Sequence, residues 1–472
     1  MSKQNISHSK DFKSLDEWLC YLETIHVTEI ELGLARISKV AKRLCIDLSF
    51  AKVITVAGTN GKGTTCAFLE NALLEEKVSG QKGNTQLQKV AVYSSPHIDN
   101  FNERLRINKC DIDDQSLICA FEKIEVARAE VSLSYYEYTT LAAFLVLMEI
   151  KPDIIILEVG LGGRLDATNI IDADFAVITT VDIDHQSFLG NDRETIGFEK
   201  AGIMRAEQHI VIGDPSPPKS VVEHAQQINE AVGVSNKSQA LKKVKVRNRD
   251  FFIAAQTVAH QEPSQTWHWQ CVEEDENSNK AEFNLKGLIK THIPQDNVAT
   301  ALMVLKQLGV NLTLTKVNSL IEKTRVAGRT ELFKHNELPN HFITHQCDVM
   351  LDVGHNPHAG RYLSSKLAQF KKQNEYQRII AVVAMLSDKD ISNTLSPFSD
   401  VIDEWNIASL SVPRAATAEQ IAKEINPLTN SINCFDNITQ AFKMANLNAK
   451  STDLILVFGS FFTVAEIRQF LI

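Results

Sequence analysis

Short apolar runs alternate with amphipathic stretches along the first two thirds of the chain. The run Lys52–Ala57 is short, rich in β-branched residues and closed by a glycine, which predicts a buried strand. The next segment, Thr64–Glu76, has apolar residues at the spacing of one helix face. The same criteria predict buried strands at Val90–Tyr93, Asp153–Val159 and Ala176–Val181, and helices around Asp113–Val131 and Tyr138–Glu149. Buried strands that alternate with helices indicate a parallel sheet covered on both faces.

A second α/β pattern follows a less regular middle region. Residues 205–215 predict one more strand and turn, and helical periodicity returns at Gln295–Leu308. Between them lie two β-like pieces and a polar stretch that indicates a hairpin loop or an insertion, at Asp250–Thr257, Thr266–Val272 and Glu273–Lys280 respectively. Beyond residue 326 the chain again predicts buried strands, at Asp348–Val353, Ile379–Met385 and Leu454–Gly459.

Length and composition are those of a globular chain with more than one core. The 472 residues are 44% hydrophobic and 23% charged, and a chain of this length divides into two or three domains. We expect an N-terminal domain of residues 1–324 and a C-terminal domain of residues 325–472. The segment Val78–Lys89, rich in Gly, Gln, Asn and Lys, predicts a surface loop.

Charge and cysteine usage exclude several classes of protein. The formal charge is 49 − 58 = −9, whereas a general nucleic-acid binder is usually basic. No apolar run approaches the roughly 20 residues of a membrane-spanning helix, and the first residues, MSKQNISHSKDF, lack the apolar segment of a signal peptide. The eight cysteines are scattered without a C-x-x-C pair, which indicates reduced thiols. We therefore expect a cytoplasmic protein without a membrane or nucleic-acid partner.

A glycine-rich segment joins the first predicted strand to the first predicted helix. Residues 57–65, the phosphate loop, read AGTNGKGTT. Glycines let successive backbone N–H groups approach phosphate oxygens, and the following helix presents its positive end. The loop departs from G-x-x-x-x-G-K-[ST], because Gly63 separates Lys62 from the threonines. The candidate phosphate-binding residues are Gly58, Thr59, Asn60, Gly61, Lys62, Gly63 and Thr64.

Polar residues near the ends of other predicted strands are candidates for the same site. Glu158 ends the strand IIILE, at the edge where open α/β sheets bind ligands, although it also suits a structural pair with Arg164. His185 follows the strand at 176–181 and, taken alone, reads most simply as a structural histidine.

Three further candidates each have a simpler alternative. Lys200 lies in a predicted helix start, Thr195–Ile203, where an exposed structural lysine is the plain interpretation. Asp352 and His355 follow a predicted strand, where an ordinary polar turn is the alternative. The cluster DKD at 388–390 suits a solvated turn as well as a functional role.

Together these segments resemble the Mur ligase family, and more closely its folylpolyglutamate synthase and dihydrofolate synthase members. The resemblance covers nearly the whole chain and follows the order of motifs in the family. Besides the phosphate loop, the motifs are SSPH at 94–97, NER at 102–104, EVGLGGRLDATN at 158–169, DH at 184–185, EKAGI at 199–203, QDN at 295–297, GR at 328–329, DVGHNP at 352–357 and FGSF at 458–461. Many relatives have histidine where this chain has Phe462, so any role of that imidazole is absent here.

The resemblance implies an α/β fold, with a P-loop-type, mainly parallel sheet in the N-terminal domain and a smaller, Rossmann-like α/β domain after it. It also implies an ATP-dependent acid–amino-acid ligase that uses Mg²⁺. The implied metal ligands are Ser95, Glu158 and His185, and the implied nucleotide contacts beyond the loop are Asn297, Arg329, Asp352 and His355. In the family the lysine matching Lys200 is often carbamylated, which requires a neutral amine. The candidate catalytic residues are therefore Lys62, His185 and Lys200.

Three segments resemble those that form the dihydropteroate pocket in bifunctional bacterial enzymes. Their candidate residues are Gly33, Leu34, Ala35, Arg36, Ser134, Tyr135, Tyr136, Glu137, Leu165, Asp166 and Ala167. An aromatic cluster with a carboxylate suits a flat pterin that donates N–H groups. Equally, the tyrosines suit core positions at a helix start.

The expected substrates are ATP, L-glutamate, and dihydropteroate or folates, used by a monomer. Three alternatives stay open from the sequence: a Mur-type amino-acid ligase that acts on a peptidoglycan precursor, a non-catalytic nucleotide-binding regulatory module, and a kinase that stops at the phosphorylated acid.

Overall fold

The computed structural model of the chain describes residues 12–26, 28, 31–79, 85–231, 243–256, 266–274, 280–336, 347–425 and 431–472. The strands in these ranges are β1 (Lys52–Ala57), β2 (Lys77–Ser79), β3 (Thr85–Leu87), β4 (Val90–Tyr93), β5 (Leu105–Ile107), β6 (Cys110–Asp111), β7 (Ile154–Glu158), β8 (Phe175–Ile178), β9 (His209–Ile212), β10 (Val244–Val246), β11 (Phe251–Gln256), β12 (Thr266–Glu274), β13 (Lys280–Leu288), β14 (Glu331–Phe333), β15 (Asp348–Asp352), β16 (Arg378–Val383), β17 (Glu404–Ala408), β18 (Ile432–Phe435) and β19 (Asp453–Phe458).

The α-helices in the same ranges are α1 (Leu15–Leu22), α2 (Ala35–Arg43), α3 (Lys62–Leu73), α4 (Asp114–Arg128), α5 (Tyr135–Ile150), α6 (Gln186–Leu189), α7 (Arg193–Ala201), α8 (Lys219–Ala231), α9 (Gln295–Gln307), α10 (Leu314–Lys323), α11 (Pro357–Lys372), α12 (Ile391–Leu395), α13 (Ala418–Ile425), α14 (Ile438–Asn448) and α15 (Phe461–Arg468). Short 3₁₀ helices lie at Phe101–Arg104, Ala167–Ile170 and Ser396–Phe398. Among the described helices, none is long and apolar enough to cross a membrane.

The larger sheet has eight strands in the order β10-β9-β8-β1-β7-β4-β5-β6. Neighbouring strands from β10 to β4 pair in parallel, and β5 and β6 continue the sheet as antiparallel edge strands. Strands β4, β7 and β8 are buried along their whole length, because helices cover both faces of the sheet. The mainly parallel sheet predicted for the N-terminal part is confirmed.

Alternate residues of single strands supply the cores on the two faces of this sheet. In β7, Ile154 and Ile156 join a core that includes residues of α3, α9 and α10, whereas Ile155 and Leu157 join one formed with α1, α2, α4 and α5. A separate antiparallel sheet, β11-β12-β13, contributes Trp267 to the first of these cores. We call the eight-stranded sheet, the three-stranded sheet and helices α1–α10 the first lobe.

The second lobe consists of a six-stranded sheet and helices α11–α15. Its strand order is β14-β15-β19-β16-β17-β18, and only β14 is antiparallel to its neighbour. Along β19, Leu454 and Leu456 face one core, whereas Ile455 and Val457 face the other. The smaller α/β unit with a covered parallel sheet is thus confirmed, while the domain boundary at residue 325 stays a prediction.

Most predicted strands lie where the sequence pattern put them, and two segments differ. Strand β8 ends at Ile178, earlier than predicted, because the threonines that follow it bind the backbone of the phosphate loop. The predicted loop Val78–Lys89 contains the antiparallel pair β2 and β3, so the loop assignment is wrong at both ends, and residues 80–84 lie outside the described ranges. Glu274 pairs with Lys280 across β12 and β13, which confirms the hairpin interpretation there.

A glycine in α11 tests how tightly the second lobe is packed. A Cβ atom on Gly360 would lie 2.2 Å from the carbonyl oxygen of Thr394. Replacing a helical glycine by alanine normally adds about 0.5–1 kcal/mol of stability, but overpacking a core costs about 1–3 kcal/mol. We expect Gly360→Ala to lower the free energy of unfolding by about 1–2 kcal/mol, measured by chemical denaturation. Ser365→Ala, on the exposed side of the same helix, is the control and should stay within about 0.5 kcal/mol. A more stable Gly360→Ala protein would contradict the close packing.

Candidate active site

The candidate residues gather where the parallel strands of both sheets end. Strand β1 leads into the phosphate loop, β4 precedes Ser95, and β7 ends at Glu158. In the second lobe, β15 ends at Asp352, just before His355. The carboxyl ends of parallel strands form the crevice of open α/β sheets. Residues 59–64 of the loop, Ser95, Glu158, Asp352 and His355, with His185, Asn297 and Arg329, line one cleft of ≈ 870 Å³ between the lobes, whereas Gly58 lies outside its lining.

The phosphate loop is held open by residues that follow β8. The Thr179 hydroxyl donates to the Asn60 carbonyl at 2.6 Å, and the Thr59 N–H donates to the Thr180 carbonyl at 2.7 Å. Gly61, with φ +89°, turns the chain directly into α3. The loop therefore lies at the positive end of a buried helix, the arrangement that binds phosphate in many folds.

Lys62 is a half-buried cation at the floor of this loop. Its Nζ donates to the Gly58 carbonyl at 3.0 Å. Burial lowers the pKa of Lys62, and the neighbouring Glu158 carboxylate opposes that effect. An anionic ligand stabilises a desolvated ammonium group most strongly when its other partners are mainly neutral carbonyl oxygens.

Glu158 is a buried carboxylate among cations from several elements. It is 5% exposed, and burial raises its pKa, while Lys62, Arg329 and Arg106 oppose that shift. The alternative structural partner, Arg164, instead pairs with Glu199 at 2.8 Å. A structural Glu158–Arg164 pair is therefore wrong, and the Glu158 carboxylate faces the cleft.

Asp184 connects the two lobes. Its carboxylate accepts hydrogen bonds from Asn356 Nδ2 at 2.8 Å and from Lys389 Nζ at 2.9 Å, both in the second lobe. His355 Nε2 lies 3.7 Å away. Although burial raises the pKa of Asp184, its contacts with His355, His185 and Lys389 hold the pKa far below the usual range. Asp184 is thus a permanent negative charge shared between the lobes.

His185 offers an uncharged nitrogen beside this charge. The ligand atoms of Asp184, His185 and His355 all lie within 4.8 Å of one another. Burial lowers the pKa of His185 to about 4, so its imidazole is neutral at neutral pH and keeps a lone pair. This cluster therefore combines carboxylate and imidazole donors of the kind that hold divalent metals in proteins.

Lys200 lies in the last turn of α7, whereas the sequence placed it in a helix start. The helix begins earlier because the Asp192 side chain caps it by accepting from the Thr195 N–H. Lys200 is 3% exposed, so the exposed structural lysine is wrong. Burial, together with the nearby Lys62, lowers its pKa to about 7.

The remaining candidates around the cleft have defined partners. Asn297 Nδ2 donates to the Thr64 hydroxyl. The Arg329 guanidinium lies 5.0 Å from the centre of the Phe461 ring. Asp352 accepts from the Thr330 N–H at 2.8 Å and the Gly354 N–H at 2.7 Å, the contacts of the polar turn considered as its alternative, although it also lines the cleft.

The three predicted acid-binding segments are brought together in the first lobe. Arg36 Nη2 donates to Glu137 Oε2 at 3.2 Å, which joins the first segment to the second. The Tyr136 ring stacks on Tyr93 at a centroid distance of 6.3 Å, and a Cβ atom on Gly160 would lie 2.7 Å from its Cζ. Tyr135 and Tyr136 are half-buried, so they are not fully enclosed core residues.

Asp166 binds its own loop. Its carboxylate accepts from the N–H groups of Gly160 at 3.0 Å, Leu161 at 2.9 Å and Thr168 at 3.0 Å. The Thr168 hydroxyl adds a fourth bond at 2.7 Å. This carboxylate therefore shapes the turn between β7 and the third segment.

Sequence reasoning missed residues that act only across the lobes. Asp184 stands next to His185, and Asn356 lies in the motif GHNP, yet neither was chosen, because pairing partners distant in sequence are not visible in it. The charge cluster at 388–390 was left open. The structure places Lys389, 7% exposed, in a second cavity of ≈ 490 Å³ that also contains Asp184, His185 and His355.

The matches between this chain and known proteins agree with this geometry. The Mur ligase middle domain matches residues 56–287, and the Mur ligase glutamate ligase domain matches residues 328–461. The dihydrofolate synthase/folylpolyglutamate synthase of Escherichia coli K12 is 38% identical over 455 residues, which cover 96% of this chain and 95% of the relative. The enzyme of the same name from Haemophilus influenzae is 37% identical over 464 residues, 96% of each chain.

Solved structures agree along the whole fold. E. coli FolC in complex with DHPP and ADP superposes with a TM-score of 0.79 at 37% identity, covering 97% of both chains. The bifunctional Yersinia pestis enzyme with AMPPNP and a Mn ion gives 0.79 at 38% identity, covering 97% of this chain and 98% of that one.

Two lobes, a phosphate loop and both matched domains define the class, an ATP-dependent Mur-type ligase. Within that class, the chain belongs to the dihydrofolate synthase/folylpolyglutamate synthase family.

Two neighbouring glycines test the phosphate loop. A Cβ atom on Gly61, where φ is +89°, would lie 2.3 Å from Asn297 Oδ1, whereas one on Gly63 would meet nothing closer than Glu158 Oε2 at 3.8 Å. We expect Gly61→Ala to weaken ADP binding by at least about 30-fold, because αL strain and the contact together cost about 2 kcal/mol or more. Calorimetric titration with ADP measures the loss.

Gly63→Ala is the matched control and should bind ADP within a few-fold of the wild type. Equal losses in both variants would show that the close approach to Asn297 does not shape the loop.

Proposed function

We propose that this ligase joins L-glutamate to dihydropteroate and to reduced folates, with ATP as the energy source. The observation that carries the proposal is the single cleft in which the phosphate loop and Glu158 of one lobe face Arg329 and His355 of the other. Support comes from relatives described as bound to DHPP and ADP, and to Mn, AMPPNP and L-glutamate.

The nucleotide would bind on the phosphate loop. Backbone N–H groups of the loop and the Lys62 ammonium would neutralise the phosphates. Asn297 would hold the Thr64 hydroxyl in place, since the two already share a hydrogen bond. From the second lobe, Arg329 would reach the terminal phosphates, and Asp352 and His355 would complete the cleft.

The proposed Mg²⁺ ligands fit a hard divalent cation. Ser95, Glu158 and His185 supply a hydroxyl, a carboxylate and a neutral imidazole on one cleft. Bound there, Mg²⁺ would withdraw negative charge from the phosphates during transfer. Lys200, once carbamylated, would carry a negative charge. Lys62 is among the charges that act on Lys200, so its ammonium group would lie near this anion.

The reaction would proceed in two steps. A carboxylate oxygen of the acid attacks the γ-phosphorus of ATP, the bond to the bridging oxygen breaks, and ADP leaves with the electron pair. The acyl phosphate that results is attacked by the neutral amine of glutamate. Inorganic phosphate leaves, the nitrogen loses a proton, and an amide remains. Lobe closure keeps water from the acyl phosphate.

The proposed substrate positions combine the acid-binding segments of the first lobe with the smaller cavity. The acid would lie on the segments around Arg36, Tyr136 and Leu165, with its carboxylate directed to the cleft. Glutamate would enter the smaller cavity, whose lining includes Lys389 and its partner Asp184. We further propose that the enzyme works as a monomer in the cytoplasm, since one chain supplies both lobes.

Turnover with defined substrates tests the function. Purified enzyme with ATP, L-glutamate and dihydropteroate or tetrahydrofolate should release phosphate and give a product heavier by one glutamyl residue, as read by mass spectrometry. We expect Lys62→Met to lower kcat by at least about 100-fold, because a charge-stabilising donor is lost. Lys323→Met, which removes only an exposed lysine paired with Glu75, should match the wild type. ADP release without any need for glutamate would reject the ligase reaction.

Carbamylation of Lys200 has its own signature. Because burial lowers its pKa to about 7, the neutral amine that adds CO₂ becomes the main form as the pH rises above 7. With ¹³C-bicarbonate, we expect a carbamate carbon signal that grows from pH 6 to pH 8, and activity that falls when CO₂ is removed.

Lys200→Met should lack the signal and be indifferent to bicarbonate. A wild-type enzyme without the signal, or a fully active Lys200→Met, would return this lysine to a structural role.

A further inference from the structure

A short loop of the first lobe is fixed as one rigid piece. The loop comprises residues 97–103, which follow the SSPH motif, and we call it the bridging loop. Three of its backbone N–H groups, from Ile98, Asp99 and Asn100, donate to the carboxylate of Glu103 at 2.9, 2.9 and 2.7 Å. Because these donors converge on one side chain, a displacement of the tip moves the whole loop.

The inner side of the bridging loop contacts the acid-binding segments. The Phe101 ring lies 6.3 Å from the Tyr135 ring in an edge-on arrangement. Arg104, just after the loop, stacks its guanidinium on both rings, at 5.3 Å from Phe101 and 5.5 Å from Tyr135. Its Nε also donates to His97 Nδ1 at 3.0 Å. The position of the loop therefore sets one wall of the proposed acid pocket.

The tip of the same loop is docked on the second lobe. Ile98 packs against a hydrophobic core of that lobe, next to Val353 and Val464. Asp99 forms an ion pair with Arg468, at the end of α15. Both charged side chains are largely buried, 18% and 16% exposed.

Arg468 is itself held in place. Its Nε and Nη2 donate to the Glu331 carboxylate at distances of 3.1 to 3.3 Å. The Glu331 carboxylate also accepts from the Gly328 N–H at 2.8 Å, in the segment that enters the second lobe. A fixed, partly desolvated guanidinium orients its partner more strongly than a mobile surface charge does.

We infer that Arg468 is a positioning residue for the acid substrate, and that the second lobe holds one wall of the acid pocket through the pair Arg468–Asp99. The inference rests on the proposed function and deepens it. With the lobes docked, the loop is ordered before the acid arrives, so binding does not have to order it. By linkage, acid bound against this wall favours the docked lobes to the same extent.

Two substitutions at the pair test the inference. Arg468→Gln and Asp99→Asn should each raise KM for dihydropteroate about fivefold, the size expected for one partly buried ion pair, and leave KM for ATP within about twofold. The double variant should lose no more than Arg468→Gln alone, because the pair with Asp99 is already absent in that variant.

Arg361→Gln is the matched control. Arg361 also forms an ion pair across the lobes, with Asp182, but it lies on the nucleotide cleft and does not touch the bridging loop. It should change KM for ATP and not KM for dihydropteroate. If its acid KM rises as much as that of Arg468→Gln, lobe docking in general, and not this pair, sets the pocket.

The inference is overturned if Arg468→Gln leaves the acid KM unchanged, if acid and ATP KM rise together, or if the two single effects multiply. Should Arg468→Gln unfold, Ile98→Ala tests the same tip through its apolar contact and must raise the acid KM selectively. A wild-type enzyme that does not consume dihydropteroate overturns the proposed function instead, so the two failures are distinguishable.

Discussion

The arrangement of the rest of the site depends on the buried carboxylate of Glu158. A negative charge that is 5% exposed is stable only among compensating charges. Its cations come from the helix after the phosphate loop (Lys62), from strand β5 (Arg106) and from the start of the second lobe (Arg329). Part of this compensation comes from Arg329, so docking of the second lobe stabilises the Glu158 carboxylate.

Charged contacts between the lobes lie on both sides of the cleft. On one side, Asp184 accepts hydrogen bonds from Asn356 and Lys389. On the other, Asp99 meets Arg468. In each case a carboxylate of the first lobe pairs with a cation of the second lobe. This charge complementarity fixes the orientation in which the lobes dock. These contacts hold the lobes together over the cleft, and a reactive acyl phosphate needs a site from which water is excluded.

The sequence predicted those features that depend on local pattern. The β-branched runs gave β1 and β4 at their observed bounds, because burial on both faces leaves a continuous apolar run. Motif order located Lys62, Glu158 and His185 on one cleft, since residues after parallel strands share an edge. Lys200 was placed in the wrong part of its helix, because the cap at Asp192 was not recognised.

Features formed by distant parts of the chain were beyond such reasoning. The pairing of Asp184 with Lys389 spans 205 residues, and that of Asp99 with Arg468 spans 369. A lone aspartate carries no local signal of which cation it will meet.

The bridging loop has a further consequence for how such an enzyme can diversify. Its shape depends on its own glutamate, Glu103, and the phosphate loop makes no part of it. Exchange of this one segment, with its aromatic face, would therefore alter which carboxylic acid is accepted while the energy-coupling chemistry is inherited intact. Because the tip of this segment also docks on the second lobe through Ile98 and Asp99, such an exchange would change the acid pocket and the contact between the lobes together.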